Sequence, residues 1–492
     1  MKIAVAGSVI TALVALSIPV KAATCPHPVD VDGDGGHDFI VGVPGEDVGS
    51  ASNAGIIQIF RGDPDGGYKG VRTVTQQDLG LTSEDGDRFG ASVIMADLTN
   101  SATSCYELVI GIPGENNSEG RVAIVKGTSS GLDFNNVTVL RQGLGGVDGT
   151  PEAGDRFGEK LADVGDNGTD SLVISAPGEN IGSIVDAGIV HVLPITSTGL
   201  GNGRVLQQGS GPTSGSPETG DQFGSSLTGT VDYLAVGVPR EDIGADTDTG
   251  MVHVFNPRGT QQLRAIHQDA TGIPGTGEDA DRFGWALAPT HDCSPGAFGL
   301  AIGTPGENVG SVVDAGSVTV IDLGEEGPDA EVWTQGTDDI PDSVQTGDEF
   351  GYALAFGAVH LAVGAPGETV NGRADAGWVG YLAVECGHGV NPGFTTAMDQ
   401  DTPGMAGTAE AGDRFGAALT YADYHISDNN IPPIGVIGVP GEDLAGASNA
   451  GMVSIAGWDS GTFYPSSLTF SQDQDFVPGE AEDGDGFGST LW

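Results

Sequence analysis

Positive charge is what this chain has least of. Lys and Arg together number 18 among 492 residues, against 68 Asp and Glu, for a net charge of −50. A field of that sign repels polyanions, so neither nucleic acid nor an anionic membrane face is expected as a partner, while cations are drawn in. The bland counterpart is that the charge only keeps a secreted protein soluble. Helical pattern is missing as well. Lys, Leu and Met are sparse, and beyond the N-terminus no stretch holds a 3.6-residue apolar period with caps, so no substantial helix is expected. No later stretch approaches the ~20 apolar residues of a helical membrane span, so membrane insertion is not expected either. Gly, by contrast, supplies 83 residues, more than twice the usual ~7%. Gly with scattered Val and Ile reads as many short strands joined by tight turns.

Met1 to Ala23 has the form of a secretory signal: Lys2, an apolar core from Ile3 to Val20, and small residues Ala22 and Ala23 at the cut. A Gly/Asp-rich strand pattern follows in place of a basic stop-transfer flank, and Ala22-Ala23-Thr24 before Cys25 fits a lipoprotein cleavage site poorly. The mature chain, 24–492, is therefore expected outside the cytoplasm.

That chain repeats one phrase seven times. Its first half is Glu-x-Gly-Asp-x-Phe-Gly, as at Glu152 to Gly158, with the Phe at 89, 157, 223, 283, 350, 415 and 487. Its second half is a short apolar run and Gly-x-Pro-Gly-Glu, with the Pro at 44, 113, 177, 239, 305, 366 and 440. Successive Phe lie 60 to 72 residues apart, and self-similarity of this kind decides a fold. The units run approximately 24–82 with 484–492, then 83–151, 152–217, 218–277, 278–344, 345–409 and 410–483. Length alone suggests about three domains; the repeat argues for one array.

Each unit carries four candidate strands. In unit two these are Phe89–Ile94, Glu107–Ile112, Gly120–Val125 and Val137–Arg141, with a turn at Lys126–Gly131. Asp/Asn-Ala-Gly announces the third strand at Asn53, Asp186, Asp314, Asp375 and Asn449, with Asp248-Thr249-Gly250 as a variant. The fourth ends near Gln76, Gln142, Gln208, Gln268, Gln335, Gln400 and Gln472. Four antiparallel strands per repeat make a propeller blade. The mature chain opens with a second half-phrase and closes with a lone first half, Gly484 to Trp492. Such a split latches a ring, whereas an open solenoid wants polar capping repeats. The expected fold is all-β: a monomeric seven-bladed β-propeller whose C-terminal strand completes the N-terminal blade. Cys25 with Cys105, and Cys293 with Cys386, would each join neighbouring units; four cysteines allow three pairings, and free buried thiols are the other reading.

Phe-Gly followed downstream by Gly-x-Pro resembles the FG-GAP repeat of integrin α-subunit propellers and their bacterial relatives. Phe157-Gly158 to Ser175-Ala176-Pro177 and Phe350-Gly351 to Gly364-Ala365-Pro366 carry the match especially well, and it covers essentially the whole mature chain. The resemblance implies a seven-bladed propeller with Ca²⁺ in some blade loops, and it says little about the partner.

Residue types present in all units are expected to be architectural. The Phe should pack between blades, the Asp of Gly-Asp should bind backbone amides in a turn, and Pro-Gly should form a type II turn with the Gly at positive φ. The glutamates closing each second half (Glu46, Glu115, Glu179, Glu241, Glu307, Glu368, Glu442) and those three before the Asp (with Gln345 once) suggest acid/base pairs if met singly. Repeated seven times, they read as structural hydrogen-bonding groups.

One loop differs. Asp30-Val31-Asp32-Gly33-Asp34-Gly35-Gly36-His37-Asp38 sets oxygen ligands at alternating positions with Gly for the tight wrap, as Ca²⁺ requires. Asp30, Asp32, Asp34 and Asp38 would supply carboxylates and Gly36 a backbone carbonyl; a solvated acidic turn is the alternative. An EF-hand is excluded because Val41 occupies the twelfth position and a strand follows. The corresponding loops are worn: Asp163, Asn167 and Ser171 with Gly165 intervening in unit three, Asp97 and Asn100 in unit two, Asp423, Asp428 and Asn429 in unit seven, and almost no loop in units four and six.

Three motifs are discounted. Arg61-Gly62-Asp63 spells an adhesive tripeptide but falls in a strand-to-strand turn, Gly127–Gly131 matches G-x-S-x-G without the strand–turn–helix a nucleophile elbow needs, and the Asn-x-Ser/Thr sequons matter only in a glycosylating host. The expected function is a secreted, calcium-binding module for an extracellular protein or glycan. The alternatives are a hydrolase or lyase using a cleft on one face, with Arg240 or His291 to Ala297 as candidates, and a structural surface-layer component.

Overall fold

A computed structural model describes residues 30–34, 36, 38–63, 68–99, 105–165, 170–290, 299–324, 329–337, 340–357, 360–384, 395–422, 434–444, 446–459 and 461–492. Its strands form seven antiparallel sheets in a ring. Blade 2 runs outward from Ser92–Ala96 through Glu107–Ile112 and Arg121–Thr128 to Gly131–Leu140. The innermost strands of blades 3 to 7 are Leu161–Val164, Ser226–Gly229, Ala286–Thr290, Ala353–Gly357 and Ala418–Ala422. In blade 3 the outer edge is divided into Gly199–Leu200 and Arg204–Leu206. Among the described residues the helical content is a 3₁₀ turn at Gln76–Leu79 and one short turn at Glu115–Ser118. No helix among them is long and apolar enough to cross a membrane.

Blade 1 is built from both ends of the chain. Phe39–Val43, Ile56–Gly62 and Tyr68–Val74 are completed on the inside by Thr490–Leu491, with Val41 opposite Leu491 and Gly42 opposite Thr490. Ile40 and Trp492 exchange backbone hydrogen bonds of 2.8 and 3.0 Å. The inner strands touch in turn, and Thr490–Leu491 meets those of blades 7 and 2, which closes the ring.

The core is divided among the seams. All seven repeat phenylalanines are 0% exposed, and each belongs to a cluster drawn from two adjacent blades. Phe89 sits with Ile57 and Ile110 at seam 1–2, Phe223 with Val190 and Val236 at seam 3–4, and Phe487 with Val453 and Ile56 at seam 7–1. Backbone hydrogen bonds dock the first half-phrase onto the preceding blade. Gly86, Arg88 and Phe89 donate to the carbonyls of Ser52, Asn53 and Ala54 at 2.8, 3.1 and 2.9 Å, and every seam repeats the pattern. To present those carbonyls the chain turns left-handed at Asn53, Asp186, Asp248, Asp314, Asp375 and Asn449, with φ from 49° to 54°. Asn and Asp tolerate that region, which explains the Asp/Asn-Ala-Gly signature.

Two local expectations are corrected. The third and fourth strands of blade 2 run on to Thr128 and restart at Gly131, so their turn is tighter than Lys126–Gly131. In the six units where Gly follows the repeated Pro, it does not take positive φ; Gly114 sits at φ −84°, ψ −11°. Glycine is needed there because a Cβ at Gly114 would lie 1.8 Å from the Gly86 carbonyl oxygen.

Truncating a buried Phe leaves a cavity in a close-packed seam. Phe223→Ala is expected to cost about 3–5 kcal/mol, read as a lowered midpoint in urea unfolding. A change below about 1 kcal/mol would mean that the seams do not carry the stability.

Candidate functional site

The repeated carboxyl groups lie in the seams. Gln76 at the end of blade 1 donates its amide to Glu115 of blade 2 at 3.2 Å. Gln142 and Glu179 repeat the contact at 2.6 Å, Gln208 and Glu241 at 2.5 Å, Gln335 and Glu368 at 2.8 Å, and Gln400 and Glu442 at 2.6 Å. Gln268 with Glu307 makes the same bond, and Gln472 with Glu46 joins the last blade to the first. The Asp of each Gly-Asp accepts the backbone N–H three residues earlier, as when Glu152 N–H donates to Asp155 at 2.6 Å. Where blade 6 has Gln345 in place of Glu, its side chain donates to Glu368 as well.

Burial disfavours the ionised form of these acids. It raises Glu46, Glu241, Glu307 and Glu442 to about 7. Burial and then the neighbouring Asp348 charge raise Glu368 to about 8. Burial likewise raises Asp221, Asp413 and Asp485 to about 6. Acid pairs with raised pKa mark active sites when they line a cleft. Here each is spent on a joint.

In the acidic loop, oxygens of Asp30, Asp32 and Asp38 lie within 4.8 Å of one another. Asp30 and Asp38 are 3% and 1% exposed. Asp38 is anchored by N–H groups of Val31 and Gly62, both at 2.8 Å, and burial followed by the Asp32 and Asp30 charges pushes it up to about 7. Asp30 accepts the Asp34 N–H at 2.9 Å. Asp34 is not one of the converging three; it pairs with Lys69 and accepts the Gly36 N–H at 2.8 Å. Gly36 packs so closely on the next hairpin that a Cβ would sit 2.4 Å from the Gly62 carbonyl oxygen. Gly35 and His37 lie outside the described residues, as do Asn100, Asn167, Asp423, Asp428, Asn429 and the stretch His291 to Ala297. Arg61-Gly62 ends a strand, and the Gly62 N–H is held by Asp38, so the tripeptide serves as a floor for the acidic loop. Gly127–Gly131 is strand–turn–strand. Cys105 is disulfide-bonded; Cys25, Cys293 and Cys386 lie outside the described residues.

A group of residues that the repeat reading passes over gathers on the ring axis. A cavity of about 590 Å³ is walled by all seven inner strands. Arg156, Glu159, Lys160, Gln222 and Arg240 line one part of it with Trp285 and Tyr352. The residue before each Phe turns left-handed (Arg88, Arg156, Gln222, Arg282, Glu349, Arg414; φ 56° to 61°), and of these Arg156 and Gln222 line the cavity. Arg88 reaches Glu159 at 3.6 Å, and Arg414 reaches Glu349 at 3.1 Å. The Arg414 and Arg282 guanidiniums lie 5.1 and 5.8 Å from the Tyr352 and Trp285 ring centres. Two sequence signals pointed to this group: Arg240 in place of the usual Gly, named above as an enzymatic candidate, and the variable position in Gly-Asp-x-Phe-Gly, which reads Arg four times in a chain poor in Arg.

No family model matches the chain, and none of the curated proteins matches it.

A carboxyl whose pKa rises on folding holds its proton more tightly in the folded chain. The stability it contributes is complete below its unfolded value, near 4.5 for Glu, and is lost as pH rises through about 7, or about 8 for Glu368. The thermal midpoint is therefore expected to fall between pH 5 and 8. Glu368→Gln should flatten its share of that decline; a variant profile parallel to the parent's would show that Glu368 is ionised in the seam. Gln208→Ala is expected to cost about 1–3 kcal/mol at pH 6 by leaving Glu241 without its donor.

Proposed function

We propose that this protein is a secreted, calcium-binding propeller of the FG-GAP kind that works as a binding module for an extracellular protein or glycan. The observation that carries the reading is that oxygens of Asp30, Asp32 and Asp38 come within 4.8 Å of one another in a single loop, while the seven repeated acid pairs are absorbed by the seams. Three carboxyl groups that close repel when ionised; Lys69 stands 3.4 Å from Asp32 Oδ2, while Asp32 Oδ1 is buried without a hydrogen-bond partner. A hard dication wanting six to eight oxygens suits that donor set. Asp30, Asp32 and Asp38 would hold it, with Asp34 released from Lys69 and the Gly36 carbonyl as further donors. Bound Ca²⁺ would supply charge neutralisation and tie the loop to the blade 1 hairpin through Asp38 and Gly62; it has no catalytic part here.

The resemblance in Phe-Gly and Gly-x-Pro and the seven-bladed ring support the family reading, and the signal-like Met1–Ala23 supports secretion. A propeller presents two faces and an axial mouth, which suits recognition, and fold alone does not choose the ligand.

Saturating Ca²⁺ at about 100 times Kd is expected to add about 2.7 kcal/mol to stability, and chelator to remove it. Asp32→Asn, which removes a ligand charge without breaking the backbone bonds that Asp38 accepts, should strongly reduce this shift while the metal-free midpoint stays close to the parent's. If calorimetry detects no Ca²⁺ binding and chelator leaves the midpoint unchanged, the calcium reading fails. Binding on an array of glycans and extracellular proteins, with and without Ca²⁺, tests the module.

A further inference from the structure

The axial mouth holds a third of the chain's positive charge. Arg156, Lys160 and Arg240 line it, and Arg88, Arg282 and Arg414 reach its lining residues Glu159, Trp285 and Tyr352; together they are six of 18 Lys and Arg in a molecule of net charge −50. Two carboxylates, Glu159 and Glu349, stand among them and engage Arg88 and Arg414. Among the described residues no ion pair joins Arg156, Lys160, Arg240 or Arg282 to a carboxylate. Lys160 and Arg240 are exposed.

Arg240 has no architectural reason to be there, since the other six units place Gly at its position. Beside these cations, Trp285 and Tyr352 form a half-buried aromatic corner, with ring centres 5.4 Å apart and planes inclined by 47°. Their Ala, Ser and Glu counterparts in the other blades leave the corner on one side of the mouth. The cavity beneath, about 590 Å³, falls within the ~300–1,000 Å³ of small-ligand sites.

We propose that this mouth binds a carboxylated sugar at the end of an acidic glycan. Guanidinium groups take a carboxylate in paired hydrogen bonds, the aromatic corner offers a flat apolar face to a sugar ring, and Gln222 offers an amide to its hydroxyls. The ligand's size follows from the charge distribution. A long polyanion would meet the acidic exterior, whereas a single terminal residue is addressed by the local cations, because salt screens more distant charge beyond ~8 Å. This names the ligand class of the binding module proposed above and rests on that reading.

The test is calorimetric titration of the full mature chain with trigalacturonic acid, its methyl ester and hexaglutamate in 50 and 500 mM NaCl. The expected result is one site per chain for the acid trisaccharide, weakened by salt, with no binding of the ester or the peptide. Arg240→Gly restores the residue of the other six blades, and Arg156→Gln installs the residue that blade 4 carries at the equivalent place. Each is expected to keep the thermal midpoint and weaken the trisaccharide about tenfold, and Trp285→Ala to weaken it further. The proposal is overturned if these variants bind as the parent does, if hexaglutamate binds as tightly, or if the trisaccharide does not bind. Array binding to neutral glycans or proteins that survives Arg240→Gly would sink the mouth site and leave the binding module standing; a folded protein silent on the whole array would sink both.

Discussion

Each seam closes when a glutamine at the end of one blade donates its side-chain amide to a glutamate buried at the start of the next. A desolvated carboxyl costs little when it is neutral and hydrogen-bonded and much when it is charged and alone. The contact fixes the spacing of the blades, while burial, working against the amide's pull toward the ionised form, raises the pKa of the acid. The contact also demands a ring, because the partner of the last glutamine, Gln472, is Glu46 of the first blade. An open array would leave one buried glutamate and one glutamine without partners.

Around that bond the other repeated residues take their places. Phe fills the apolar part of the seam, the left-handed Asn or Asp offers carbonyls to the neighbouring phrase, and Gly gives way to backbone that approaches too closely for a Cβ. These roles leave few positions free to vary. One is the residue before each Phe, which at Arg156 and Gln222 lines the axial cavity, and another is the residue after Phe-Gly, where Trp285 and Tyr352 stand. Variation at such positions changes the mouth without touching the seams.

Much of the ring was legible because its signals are local and repeated. Strand number, blade number and the shared first blade follow from spacing and from the split phrase, and the Gln and Glu columns were recognisable as structural by their count. Two kinds of information were not local. The Gly after Pro suggested a type II turn, yet its need comes from the Gly86 carbonyl, contributed by the other half of the phrase. In the acidic loop, spacing could nominate Asp30, Asp32, Asp34 and Asp38 together; the fold turns Asp34 to Lys69, thirty-five residues on, and gives Asp38 the Gly62 amide.

The seven-bladed ring, its latch and the single loop rich in alternating aspartates could be read along the chain, because each rests on residue type at fixed separation. Which glutamine meets which glutamate, and that the scarce arginines share one mouth, emerged with the closed ring. The glutamine and glutamate partners are 33 to 42 positions apart, and 426 for the last pair, while the arginines come from separate units; closure of the ring brings each set together, and no window of sequence contains that geometry.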